Sequence, residues 1–228
     1  MYKLGVLFCG LISCIIVRYC YFIVDFLFAS RNSYYDNLMI HRKLYVQKNI
    51  VKSVYLMGLF TIASVKVIGP IILENRWETN TIHLFAVLYG SNDLVGLVCV
   101  EKLPTTTKIH HCVSTILVFC SLTLDFQHSD IGQSMLVYTY ASAAAYIVNL
   151  HLGVRLLSIQ SRYQWLRDSL LRLFAAVVYV SVCVCSWTWQ LWWISTRDLF
   201  SWYHVIYIAF MLCIVRDDLI LIRWLVGI

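Results

Sequence analysis

The chain has 228 residues, 61% of them hydrophobic and only 13% charged, with a mean hydropathy of +0.74 and a net charge of +6. So little polar side chain cannot cover a water-soluble globule of this size, which excludes an ordinary soluble domain and predicts an all-α polytopic membrane protein. Spans and short loops consume the whole length, so one domain is expected, with no soluble module at either end.

Apolar runs of about 20 residues bounded by polar punctuation predict about seven transmembrane helices (six to eight), at roughly 4–29, 50–73, 82–100, 109–124, 131–153, 170–194 and 200–222. The first combines Lys3 with an uninterrupted apolar run from Leu4 to Val17, a pattern shared with signal peptides. No small-residue cleavage site follows it, so a retained helix is expected, giving an N-terminal helix over 1–30 and a main transmembrane domain over 45–222.

Lysine and arginine distribution sets the expected orientation. Of the 18, 12 lie on one side: Arg31, Arg42, Lys43, Lys48, Lys102, Lys108, Arg155, Arg162, Arg167, Arg172, Arg216 and Arg223. Three, Lys3, Arg76 and Arg197, lie on the other, and Arg18, Lys52 and Lys66 fall inside or near spans. The positive-inside rule then predicts odd-numbered loops and the C-terminus in the cytosol. Topology and phospholipid headgroups account for the basic balance, and no nucleic-acid partner is expected. Most of the nine cysteines lie inside predicted spans, where a thiol serves as a small apolar group, and there is no Cys-x-x-Cys pair. Trp187, Trp189, Trp192, Trp193, Trp202 and Tyr203 read as an interfacial aromatic belt around the sixth loop.

Chemistry concentrates in three residues. Asp93 is embedded in the third predicted span, and adjacent His110 and His111 open the fourth, just after Glu101-Lys-Leu-Pro-Thr-Thr-Thr-Lys108. Ionisable groups at such depth are costly enough to be read as functional. His110 shares a helix face with Ser114, and His111 with Thr115, so hydroxyls lie one turn deeper than each imidazole. An imidazole can act as general base or nucleophile, and a neighbouring carboxylate orients it and stabilises the imidazolium. The bland alternative is that the pair hydrogen-bonds between helices near an interface. No metal is expected. A di-iron centre needs about eight clustered histidines, whereas His41, His83, His128, His151 and His204 are scattered singly. A single ion on the pair plus His151 or His204 is the competing possibility.

The run Tyr89-Gly-Ser-Asn-Asp93-Leu94, followed by Lys102-Leu-Pro104 and then His110-His111, resembles the TLC-domain family, which includes ceramide synthases, translocon-associated membrane proteins and smaller relatives. A weaker match follows at Ser142-Ala-Ala-Ala-Tyr-Ile-Val-Asn149-Leu-His151. The resemblance covers roughly 45–222, with its specificity confined to 89–111. It implies a TLC-like bundle around a lipid-accessible cavity, in the endoplasmic reticulum or a related internal membrane. Acyl transfer would use His110, His111 and Asp93 as catalytic residues. Tyr89, Ser114, Thr115, Ser142, Asn149 and His151 would line the substrate, with acyl-CoA as a possible donor and no cofactor. Ceramide synthases are similar in the His-His segment but carry acidic residues, Asp-x-x-Leu-Glu, in the following helix. Here that helix has no acid after Asp130, and Ser142 stands where smaller relatives place a carboxylate, which argues against ceramide synthesis itself. The alternative class is a non-catalytic protein that binds or regulates membrane lipids. A receptor or transporter fits less well: 200–222 has no lysine for a retinal Schiff base, and no Asp-Arg-Tyr ends the third helix.

Overall fold

The computed structural model describes residues 2–157, 164–196 and 201–227, with side chains from 168 onward in the second stretch. Arg162 and Arg197, which entered the topology count, lie outside the described residues, as does the side chain of Arg167. Among the described residues there is no strand.

The first helix, α1 (Tyr2–Ala29), buries a stripe at Val6, Gly10, Ser13, Val17 and Tyr21, and turns Phe8, Ile15, Phe22 and Phe26 outward. That is the pattern of a helix packed on one side and facing lipid on the other. Small residues permit the close approach: a Cβ on Gly10 would lie 2.3 Å from Cγ1 of Val87. A short α2 (Ser33–Asp36), capped by the Asn32 side chain, leads into α3 (Ile40–Ala63). This helix continues through a π-turn at Ser64–Ile68 into α4 (Gly69–Glu74). The irregularity has an identifiable cause. Pro70 has no N–H and disfavours helical backbone before it, and the Gly69 N–H instead reaches the Ser64 carbonyl in the i−5 pattern. Asn75 ends α4 in the left-handed region at φ 50°, a conformation asparagine tolerates at helix ends.

Then come α5 (Thr79–Cys99), α6 (Thr105–Ser121), α7 (Asp130–Ala144), α8 (Tyr146–Val154), α9 (Gln164–Thr196) and α10 (Trp202–Val226). Side-by-side packing runs α3 to α5, α5 to α6, α6 to α10, α10 to α9, and α9 to α7 and α8, which return to α3. Among the described residues these seven helices close a ring, and α1 lies against α3 and α5. In α5 both sides are covered, and Tyr89, Ser91, Asn92 and Asp93 are all buried. The C-terminal end of α10 is fixed by Arg172, whose guanidinium donates to the carbonyls of Leu225 (2.8 Å) and Trp224 (3.0 Å). Gly227 follows at φ 88° as a left-handed cap.

The structure bears on the expected spans in two respects. Four helices among the described residues are long and apolar enough to cross a membrane: Tyr2–Ala29, Ile40–Glu74, Thr79–Cys99 and Asp168–Thr196. The other three expected spans fall short by length or composition. In α6 there are 17 residues, opened by Lys108 and the two histidines. Arg216, Asp217, Asp218 and Arg223 interrupt α10. The expected single helix at 131–153 is broken at Ala145, where the chain tightens into bonds from the Ala145 N–H to the Ser142 carbonyl (3.2 Å) and from the Val148 N–H to the Ala145 carbonyl (3.0 Å). Neither proline nor glycine marks that break, so sequence gave no sign of it. Tertiary contacts flank it: Ser142 is bonded to Tyr89, and Ala145 is buried with Val148, Ala175 and Leu225.

Candidate functional site

Asp93 projects from the middle of α5 and is 1% exposed. Its Oδ1 forms an ion pair with Lys52 of α3 and lies 3.0 Å from His111 Nδ1 of α6, while Oδ2 accepts a hydrogen bond from Ser114 Oγ at 2.8 Å. Three helices are therefore tied at one carboxylate. The His111 contact has ion-pair distance without the alignment of a full hydrogen bond, and His111 Nε2 is buried with no protein partner. An imidazole held from its Nδ1 side by a carboxylate has its other nitrogen available as base or nucleophile.

His110 builds a second, similar unit. Its Nδ1 lies 3.3 Å from Oδ2 of Asp217 on α10, and its Nε2 is 3.3 Å from the Tyr138 hydroxyl of α7. The two rings are 5.6 Å apart and nearly perpendicular. His110 thus has a polar group within 3.3 Å of each ring nitrogen, whereas His111 Nε2 has no hydrogen-bond partner among the described residues. The histidine pair consequently splits into two carboxylate–imidazole units with different freedom.

Both histidines border a polar cavity of about 310 Å³. It is also lined by Lys48, Lys52, Asn149, Arg155 and Asp217. On the far side of the Asp93 cluster lies an apolar cavity of about 50 Å³ lined by Leu59, Phe85, Tyr89, Ser114, Leu117 and Tyr138, among others. That is room for roughly four water- or methylene-sized groups. Ser114 lines the apolar space and bonds Asp93, which faces His111 beside the polar space. Tyr89 and Ser142 form a 2.7 Å hydrogen bond across the same boundary, with Tyr89 on the apolar side and Ser142 on the polar side.

Of the residues singled out in the sequence, His110, His111, Asp93, Tyr89, Ser114, Ser142 and Asn149 line or support these two cavities. Two do not. Thr115 spends its hydroxyl on the His111 carbonyl (2.7 Å) and faces a groove between α1, α5 and α6. A threonine one turn below His111 is drawn to back-bond its own helix, and the 3.6-residue repeat then carries its side chain past the cavity. His151 is buried behind the wall, its ring 5.7 Å from that of Trp224. Lys52, Lys48, Asp217 and Tyr138 belong to the site but were not legible as such. The lysines and Asp217 sit in charged stretches that topology alone explains, although Lys48 and Lys52 are spaced one helical turn apart, a signal in retrospect. No group of three histidine, cysteine, aspartate or glutamate side chains is arranged to hold a metal ion among the described residues.

Comparison of the chain with protein-family models, curated proteins and solved structures finds no match in any of the three.

Proposed function

We propose that this is an integral membrane protein of TLC-like architecture, crossing an internal membrane such as the endoplasmic reticulum seven times, that transfers acyl groups within its helical ring. The observation that carries the reading is the unpartnered Nε2 of buried His111, held from behind by Asp93 where a polar and an apolar cavity approach each other. His111 Nε2 would take the proton from an acceptor hydroxyl or amine as that group attacks an acyl carbonyl. The tetrahedral adduct then expels the leaving thiol or alcohol, which receives a proton from the His110–Tyr138 unit. The acyl carbon exchanges one bond for another, and the acceptor's proton is matched by the one given to the leaving group. Lys52, which lines the polar cavity and neutralises Asp93, would favour the developing oxyanion.

The competing reading, lipid binding without turnover, is favoured by the engagement of Asp93 with Lys52 and Ser114 as well as His111, since a carboxylate so occupied also serves to brace three helices. Incubation of the purified chain with labelled acyl thioesters and phospholipids, each with an alcohol or amine acceptor, separates the two. Transfer by the wild type and its loss in His111→Ala supports the enzyme. Retention of lipid with no product from any donor supports the binder.

A further inference from the structure

Lys48 is a buried cation of this cavity that has no direct partner among the described residues. It is 5% exposed, lines the polar cavity, and makes neither an ion pair nor a hydrogen bond. Its aliphatic stem passes over Gly96, where a Cβ would lie 3.4 Å from Lys48 Cε, so α5 leaves room for the lysine to reach inward. The nearby carboxylates make their direct contacts elsewhere, Asp93 with Lys52 and Asp217 with His110, and act on Lys48 only at longer range. Arg155, at the exposed C-terminal end of α8, lines the same cavity and stacks its guanidinium 4.2 Å from the Trp224 ring centre, with no acidic partner. Lys48 and Arg155 flank one aromatic ring, at 5.9 and 6.0 Å from the centre of Tyr45.

An ammonium withdrawn from water is costly unless an anion accompanies it. Two cations without an acidic contact among the described residues, set around one 310 Å³ space, favour a negatively charged group there. A phosphate suits them: it offers several acceptor oxygens, so that Lys48 can meet one as a point charge and the planar fork of Arg155 others from the rim. We propose that Lys48 and Arg155 form the subsite for a phosphate group carried by the substrate, with His111 at the inner end of the same cavity. The inference rests on the acyl-transfer reading for its orientation, phosphate outward and reacting carbonyl inward. The phosphate could belong to a phospholipid headgroup or to the nucleotide portion of an acyl thioester, and the shared chemistry is what the site recognises.

The test uses the full chain, delipidated in a phosphate-free maltoside detergent, and two matched probe pairs: phosphatidic acid against diacylglycerol with the same chains, and coenzyme A against pantetheine. A saturable rise in Tm and retention in native mass spectrometry report binding. The phosphate-bearing member of one pair is expected to bind while its phosphate-free counterpart does not, and the pair that responds identifies the source. Lys48→Met and Arg155→Ala should each weaken that binding about 10- to 100-fold, the range for losing one charged hydrogen bond, and Lys48→Arg should largely preserve it. Lys48→Met should also raise the Tm of the empty protein, which shows that it folds. Equal binding of both members of each pair, or unchanged affinity in Lys48→Met, overturns the subsite. Acyl transfer that persists while the phosphate preference fails sinks this inference alone. A phosphate preference that persists in wild type and His111→Ala, with no turnover by the wild type, sinks the acyl-transfer reading alone.

Discussion

Lys52 and His111 meet at the same oxygen of Asp93, one as an ion pair and the other at 3.0 Å. The carboxylate is therefore shared between a structural duty, neutralising a buried lysine, and a chemical one, orienting an imidazole. The two duties fail differently, and this makes them separable by mutation.

Lys52→Met should cost about 3–5 kcal/mol of stability, because it leaves Asp93 buried with its charge uncompensated. Asp93→Asn strands Lys52 in the same way. The double variant Lys52→Met/Asp93→Asn removes both charges and should recover most of the loss, which a double-mutant cycle on thermal unfolding measures. Strict additivity of the two single losses would show that the pair is not coupled.

His111→Ala should behave in the opposite sense, with Tm nearly unchanged and turnover reduced about 10²–10⁴-fold, the contribution of a positioned general base. His110→Ala should be damaging for a different reason, since it releases Asp217 and Tyr138 together. Asp217→Asn, which keeps the shape and removes the charge favouring the imidazolium, should therefore reproduce part of the His110 effect. If Asp217→Asn retains wild-type turnover, the second carboxylate–imidazole unit has no part in the chemistry.

These contrasts show what could be read from residues alone. Asp93 and the histidine pair were legible because an acid and two imidazoles stand out in apolar surroundings. The all-helical class was legible because unbroken apolar runs of about 20 residues suit membrane helices and not the alternating strands of a barrel. Lys52 and Asp217 were not, because each also fits a simpler account as a topogenic or interfacial charge, and only packing shows which charges turn inward. The break at Ala145 escaped because no proline or glycine marks it and the contacts beside it, such as the bond between Ser142 and Tyr89, join residues far apart in sequence.

Close approach of α1 and α5 at Gly10 gives a prediction outside the site. A methyl group there would meet Cγ1 of Val87 at 2.3 Å, a branched side chain with little freedom to retreat inside a helix. Gly10→Ala should therefore destabilise by about 1–3 kcal/mol through overpacking. Adding Val87→Ala opens the space and should return much of the loss. Unfolding in detergent, followed by circular dichroism, reads both variants.

The loop joining α6 to α7 lies outside the spans and has a pH signature of its own. Asp125 accepts from His128 Nδ1 (2.7 Å), Thr79 Oγ1 (2.9 Å) and the Gln127 N–H (3.1 Å). These donors, His128 first, hold its carboxyl below the usual range. A depressed carboxylate contributes order that is fully present above its ordinary value and lost as pH falls through the lowered one. Hydrogen-exchange protection, taken relative to the intrinsic rate at each pH, should therefore be highest at Phe126, Gln127 and His128 above the ordinary carboxylate range and fall as pH drops through the lowered value, and Asp125→Asn should flatten that dependence.

Orientation is the last expectation to be checked by experiment. Lysine and arginine counts place residues 101–108 on the cytosolic side together with 30–48, which would set the mouth of the Lys48–Arg155 cavity toward the cytosolic leaflet, where anionic headgroups concentrate. Single cysteines introduced at Lys102 and Arg42 into a cysteine-free background should label together with a membrane-impermeant maleimide from the cytosolic side, whereas one at Arg76 should label from the opposite face. Labelling of Lys102→Cys and Arg76→Cys from one side would remove the seven-span arrangement. If that shared side is the non-cytosolic one, the polar cavity must draw its substrate from the other leaflet, because Leu103, Pro104 and Thr106 form part of its wall.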